Sequence, residues 1–384
     1  MMPSHVDIAI IGGGPVGAAL AIALKDSGLT VAVLEARSEF AARDPRALAL
    51  SQGTRLVLER LGTWDRLGAK ATPIETIHVS QLGRFGRAEL AAKAMGVPAL
   101  GYTAAYGDLY AALAAGLLGS GAHLIAGARV SAVRPASGCG LVEYQQAAVA
   151  HTLTARLLVL ADGGKSLPGE VKIKDYGQSA IVCTVRTEAP HGGRAYERFT
   201  PAGPMALLPL GDNYALVWTT PADQVEARMQ CDDGVFLTEL QAAFGDRQGR
   251  FLAAGPRSAF PLRLVTSAAK DRPGLVRIGN AAQTLHPVAG QGFNLGLRDA
   301  WWLAETIMDS SREQLGDSDF LTRYRAYRRR DVAGGIAMTD LLVDLFANDL
   351  PLLSQARGLA LTAMDALPPL KNLFVRKMMF GAQA

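Results

Sequence analysis

The chain reads as an α/β protein in which a Rossmann-type nucleotide-binding domain carries an inserted antiparallel β-sheet domain and ends in a helical tail. Three observations predict this. Residues 6–11 form an almost unbroken apolar run that leads directly into the glycine-rich turn GGGPVG at 12–17, and such a run belongs to a strand buried on both faces of a parallel sheet. The middle of the chain alternates β-rich segments with turn residues. After Asn294 the pattern turns helical, punctuated by Pro351, Pro368 and Pro369.

From Val16 to Lys25 alanine and leucine dominate without a breaker, Ser27 and Gly28 end that helix, and residues 30–34 form a second buried strand. This is one βαβ unit. Residues 157–160, ending at Asp162 and Gly163, and 275–278, ending at Gly279 and Asn280, read as further strands of the same sheet. Between them, 181–185, 206–210 and 214–219 are β-rich, and Gly211, Asp212 and Asn213 supply a hairpin turn. Helices are expected over 294–307 and from Phe320 to about Leu345. The nucleotide domain then takes 1–75, 102–174 and 272–320, the inserted substrate domain 76–101 and 175–271, and the helical C-terminal region 321–384.

At 384 residues and 49% hydrophobic, the chain can bury a large core in about two or three domains. Lysine and arginine number 39 against 35 aspartates and glutamates, too slight a surplus for a nucleic-acid partner. Cys139, Cys183 and Cys231 are widely spaced and odd in number, which argues against a disulfide framework or a metal site and suits a reducing cytoplasm. The first strand begins too early to leave room for a signal peptide, and the apolar runs are too short or interrupted to span a bilayer. Any membrane contact is therefore expected to be peripheral, at the inner face.

In the turn, Gly12 permits the tight bend, Gly14 lets a pyrophosphate approach the backbone, and Gly17 allows the helix to pack closely on the strand. Pro15 and Val16 open that helix, whose N-terminus faces the phosphates. Glu35 closes the second strand, where a carboxylate accepts hydrogen bonds from ribose hydroxyls. NAD and FAD share this ADP half, so the turn alone does not separate them.

Residues 280–298 read NAAQTLHPVAGQGFNLGLR. The residue before Pro287 is pushed extended, and Gly290 and Gly292 loosen the backbone ahead of a helix. Free N–H groups at that helix start would stabilise the negative charge of a reduced flavin, so the loop suits a flavin ring.

Together with ADGGKS at 161–166, RALALSQGT from Arg46, YGQSAIVCTV from Tyr176 and ERFTPAGPMALLPL from Glu197, these motifs resemble the FAD-dependent aromatic hydroxylases of ubiquinone biosynthesis, of the 2-polyprenyl-6-methoxyphenol hydroxylase type. The resemblance runs along nearly the whole chain and implies the two-domain aromatic hydroxylase fold. It also implies that Gly12, Gly14, Pro15, Val16, Gly17, Glu35 and Arg46 hold the ADP portion of FAD, and that Asp162 and Asn280 contact pyrophosphate and ribityl groups. Pro287, Gly290, Gln291, Gly292, Phe293 and Asn294 would face the isoalloxazine.

The implied reaction is reduction of FAD by NAD(P)H, addition of O₂ to give a C4a-hydroperoxide, and transfer of the distal oxygen to the ring of a polyprenylated phenol. No second glycine fingerprint is present, so NAD(P)H is expected as a transient donor. A ubiquinone-biosynthesis complex is the implied protein partner. Three positions depart from the family: Asn280 stands where the wider group has aspartate, Tyr106 where it often has arginine or glutamine, and Gly169 at an arginine position. Two alternatives stay open, a hydroxylase of another phenol and a non-catalytic FAD-bound subunit.

No catalytic acid or base follows from the sequence. His286, before a proline in a loop, reads as a backbone contact ahead of a proton relay, and Phe199, Met205 and Leu207 read as core ahead of pocket. Arg323, Arg325, Arg328, Arg329 and Arg330 form a basic helix, and residues 373–380 set apolar side chains beside Arg376 and Lys377. A membrane surface or a partner suits both segments, as does a solvated helix with a packed tail.

Overall fold

The computed structural model describes residues 3–39, 44, 46–166, 171–267, 272–284, 291–346 and 351–381. Strands are numbered along the chain and fall into three sheets. The first takes β1 (His5–Ile11), β2 (Val31–Glu35), β8 (His123–Ala126), β9 (Arg129–Arg134), β10 (Gly140–Gln146), β11 (Val149–Leu160) and β18 (Leu275–Arg277). The second takes β5 (Thr76–Gln81), β6 (Arg87–Ala91), β12 (Val171–Thr187), β13 (Arg194–Thr200), β14 (Gly203–Leu210), β15 (Asn213–Pro221), β16 (Phe251–Ala254), β17 (Ser258–Ser267) and β19 (Gln283–Thr284). A small third sheet joins β3 (Ala47–Ser51), β7 (Gly101–Ala105) and β4 (Thr72–Ile74).

The helices are α1 (Pro15–Ala23), α2 (Gln52–Arg60), α3 (Trp64–Gly68), α4 (Tyr106–Leu118), α5 (Val225–Gln230), α6 (Asp233–Phe244), α7 (Gln291–Met308), α8 (Ser318–Phe346), α9 (Pro351–Ala366) and α10 (Pro368–Phe380).

In the first sheet β8, β2, β1, β11 and β18 run parallel, while the β9–β10 hairpin adds antiparallel to the first half of β11. Both faces are buried. Ile8, Ile10, Val31, Val33, Leu157 and Val159 pack on α1, α4 and α7, whereas Ala9, Ile11, Leu34 and Leu160 pack against Val133, Val142 and Tyr144. This accounts for the unbroken apolar runs, since strands covered on both sides have no polar face to alternate. The strand expected at 157–160 starts earlier, at Val149, because its first four residues are exposed in the hairpin and carry no apolar run.

The second sheet runs β19-β17-β12-β15-β14-β13-β5-β6. One of its faces carries Ile181, Cys183, Tyr196, Met205, Leu207, Leu216 and Trp218, sealed by Phe236, Leu240 and Phe244 of α6. Met205 and Leu207 are thus core, as expected. Phe199 is also buried, against Ala88 and Leu361 of α9.

The helical tail is bound to the rest of the chain. Phe320, Leu321 and Tyr324 of α8 join the nucleotide-domain core, and Val375 and Met379 of α10 cover Leu90 and Leu100. Arg328 points inward to Asp299 and Gln283, so the arginines of α8 do not form one solvated or membrane-facing stripe.

The closest approach in the nucleotide domain is at Gly17, where a methyl group would stand 2.0 Å from the Gly12 carbonyl oxygen. Gly17→Ala should cost about 2 to 3 kcal/mol of stability by forcing α1 off β1. Gly28→Ala should cost about 1 to 2 kcal/mol, because Gly28 has φ +69° but open space around it. Denaturant unfolding of the two variants checks this order, and equal losses would contradict it.

Candidate active site

Strands β2, β1, β11 and β18 lie side by side and end at one edge, where open α/β sheets bind their ligands. After β1, Gly12 adopts φ +105° and its N–H donates to the Leu34 carbonyl at 2.8 Å. The first helical hydrogen bond of α1 runs from Ala18 N–H to the Gly14 carbonyl at 2.9 Å, so the Val16 and Gly17 amides have no acceptor within the helix. A methyl at Gly14 would meet nothing within 4 Å. The turn therefore presents an open approach to donor amides at a positive helix end, which is what a pyrophosphate requires.

Glu35 is buried at the end of β2, and its carboxylate accepts from Gly13 N–H at 2.7 Å and from the Arg37 backbone and Nε at 3.1 and 3.0 Å. It fixes the turn to β2 and keeps a lone pair for a ribose. Arg37 lies 5.0 Å from the Tyr110 ring and donates to its hydroxyl at 3.1 Å. Arg46 stacks 5.0 Å from Phe260 and 5.6 Å from Tyr106 while pairing with Asp44. That contact joins the nucleotide domain to the second sheet, and Tyr106 supplies part of it.

Asp162 turns its carboxylate onto its own loop, accepting from Gly164 N–H at 2.9 Å and Ser166 N–H at 2.6 Å. Asn280 is exposed on the 3₁₀ turn Gly279–Ala281. Behind it the buried Asp299 accepts from Gly279 N–H at 3.1 Å and Gln283 Nε2 at 3.3 Å and pairs with Arg328 at 3.2 Å. Burial pushes the Asp299 carboxyl up to about 6 against the opposing pull of Arg328. Val16 fits between Gly279 and Gly296, with methyl positions on those glycines only 3.2 and 3.0 Å from its Cγ2, so the first and last loops of the cleft touch.

At the start of α7, Asn294 is buried. Its Oδ1 accepts from Ser51 N–H at 2.9 Å and Thr54 Oγ1 at 2.7 Å, and its Nδ2 donates to the Ala49 carbonyl at 2.9 Å. The side chain thus locks α7 to β3 and α2. Gly292 has open space around it, and Phe293 packs on the core. The helix backbone includes Gln291, whereas Pro287 and Gly290, with His286 and Gly169, lie outside the described residues.

Sequence reasoning did not single out Asp299 or Glu197, and it read Arg328 only as part of a basic helix. Glu197 sits on β13, and the register aligns it with Val79, Ala206, Val217 and Val182 across five strands. This is the face opposite α6, and it shares that side with Phe260, which lies under Arg46 of the nucleotide domain. Glu197 makes no hydrogen bond or ion pair with a described residue, and burial pushes its carboxyl up to about 8. A carboxylate within an alternating apolar strand row is the signal that could have found it.

The open glycine turn, the acidic strand end and the free amides at the start of α1 fit an FAD. The chain belongs to the FAD binding domain family, which matches residues 5–339, and FAD is its cofactor. It is 37% identical over 395 residues to ubiquinone hydroxylase UbiL of Rhodospirillum rubrum, covering 97% of this chain and 89% of that protein. It is 33% identical over 401 residues to 3-demethoxyubiquinol 3-hydroxylase of Escherichia coli, covering 97% and 98%. These relatives make it one of the flavin monooxygenases of ubiquinone biosynthesis. The p-nitrophenol 4-monooxygenase PnpA of Pseudomonas putida shares the fold, with a TM-score of 0.82 over 100% of both chains at 16% identity.

Because a side chain at Gly14 meets no protein atom, Gly14→Val should fold normally yet lose most of its flavin. The ratio of flavin to protein absorbance after gel filtration, read beside the unfolding midpoint of the apoprotein, checks this. Full flavin retention in a folded variant would contradict it.

Proposed function

We propose that the protein hydroxylates the aromatic ring of a polyprenylated phenol in ubiquinone biosynthesis, with NAD(P)H reducing its FAD. The observation that carries this reading is the row Val79, Glu197, Ala206, Val217 and Val182 on the sheet face opposite α6, which runs from Leu361 of α9 to Phe260 under Arg46. The similarity to ubiquinone hydroxylases supports it. Bound and reduced, FAD supplies the activation of O₂ that delivers one oxygen atom to the ring.

The Val16 and Gly17 amides would hold the pyrophosphate, Glu35 the ribose, Asn280 the ribityl chain, and the N–H groups at the start of α7 would stabilise negative charge on the ring. Asp162 orders the adjoining loop, and Arg46 bridges to the second sheet. The apolar row excludes water that would divert activated oxygen. Within that row Glu197 is uncharged at neutral pH and can hydrogen-bond the phenol hydroxyl, orienting the ring. A polyprenylated phenol partitions into lipid, so the protein meets it at a membrane surface or receives it within a biosynthetic complex. Among the described residues no helix is long and apolar enough to cross a membrane.

Substrate-stimulated NAD(P)H oxidation, measured with product analysis across phenols with and without a prenyl chain, tests the function. The prenylated phenol should give hydroxylated product at the highest kcat/KM. Equal turnover of short soluble phenols would reject the assigned substrate class.

Glu197 has its own signature. A carboxyl with a raised folded-state pKa favours the protonated folded protein, so stability falls as pH rises from the ordinary carboxyl range to about 8. Above that pH a charged Glu197 should draw water into the row and lower the yield of product per NAD(P)H. Glu197→Gln should flatten this alkaline loss and raise the melting temperature relative to wild type more at pH 9 than at pH 6. Unchanged profiles in the variant would remove Glu197 from the pocket.

A further inference from the structure

The opposite face of the second sheet carries a separate feature at its β5–β6 edge. Register places His78 beside Tyr196 and Glu89, and Arg87 and Arg198 on either side of Ser80. Two adjoining hollows of about 400 and 410 Å³ open there, between this edge, Arg247 of the loop after α6, and α9. Four arginines, Arg84, Arg87, Arg194 and Arg247, line them against two carboxylates, Glu89 and Asp365.

Both carboxylates are already engaged. Asp365 pairs with Lys371 at 2.7 Å and accepts from Glu89 N–H at 3.2 Å, and Glu89 lies 3.6 Å from Arg194. The guanidinium groups of Arg84, Arg87 and Arg247 make no ion pair or hydrogen bond with a described residue. Beneath them Arg198 is buried, donating to the Ala243 carbonyl at 3.1 Å and Ser80 Oγ at 3.3 Å. His78 is only 6% exposed, and its Nδ1 has no partner. Burial, then the charge of Arg247, disfavour the charged forms of both His78 and Arg198. Like charges gathered over a buried, unsatisfied imidazole destabilise the protein unless an anion joins them.

We propose that this cleft is a binding site for a phosphoryl group, gripped by the guanidinium forks of Arg87 and Arg247, with Arg84 and Arg194 at its rim and His78 at its floor. Arginine forks match phosphate oxygens in pairs, which makes phosphate the anion best suited to them. The site is distinct from the flavin cleft, because the sheet separates it from the face bearing Glu197. Its apolar border suggests where the phosphoryl group comes from. Phe85 is 54% exposed and rests on Gly358, next to Leu359 at 62%. Gly86, at φ +94°, lets the hairpin tip dock there, since a methyl on it would stand 2.5 Å from the Gly358 Cα. A soluble phosphate ester needs only the arginines, whereas a phospholipid head would also set its acyl chains against Phe85 and Leu359.

The test uses the flavin-loaded full chain at low salt. Calorimetric titration with inorganic pyrophosphate probes the soluble source. Co-sedimentation with phosphatidylcholine vesicles, with and without phosphatidylglycerol, probes the lipid source. At least one probe should bind, and Arg87→Gln/Arg247→Gln should weaken that binding about tenfold or more while flavin content and NAD(P)H oxidation stay unchanged. Arg66→Gln/Arg129→Gln, at two exposed arginines elsewhere, should leave binding unaltered. Pyrophosphate binding alone assigns a soluble ligand, and phosphatidylglycerol-dependent sedimentation assigns a lipid head. No binding of either probe, or equal weakening by both double variants, overturns the proposal.

Discussion

The contact between Gly17 and the Gly12 carbonyl sets the geometry on which the rest of the site depends. Because no side chain stands between them, the first turn of α1 lies against the end of β1 and aims its free amides into the cleft. Val16 follows at a fixed place and meets Gly279 and Gly296, which positions the last loop of the sheet and the start of α7. Asn294 then ties α7 to β3 and α2 through three hydrogen bonds. Segments far apart in sequence are thus registered to one another by close packing and buried polar pairs, and both tolerate little displacement.

The second sheet separates two kinds of chemistry by strand alternation alone. On β13, Tyr196 and Arg198 point to one side and Glu197 to the other. One side is an apolar row containing a single carboxyl without a partner among the described residues, and the other gathers cations at the sheet edge. A one-residue slip of this strand would exchange them. The long pairings of β12 with β15 and β17 hold the register and so keep the two sides apart.

The nucleotide domain was legible in the sequence because its signals are local. Strand, glycine turn, helix and Glu35 follow one another within the first residues, and the doubly buried strands show as apolar runs. What escaped depends on contacts distant in sequence. Asn294 read as a ring contact, yet its side chain is spent on residues 49–54. Arg328 read as part of a basic surface, yet it neutralises the buried Asp299. Glu197 entered only as the first residue of a motif, and its meaning appears only when four neighbouring strands supply an apolar row. The first half of β11 was missed because its exposed hairpin lacks hydrophobic periodicity.

The central claim is that this cleft holds FAD so that dioxygen is spent on a phenol ring bound against the Glu197 face. The most direct measurement is a single turnover of the flavin-loaded protein with NAD(P)H and a polyprenylated phenol under isotopically heavy dioxygen, followed by mass spectrometry of the lipid. The account predicts one heavy oxygen atom in the ring of the product. Oxidation of NAD(P)H to hydrogen peroxide, with the phenol recovered unlabelled, would contradict it.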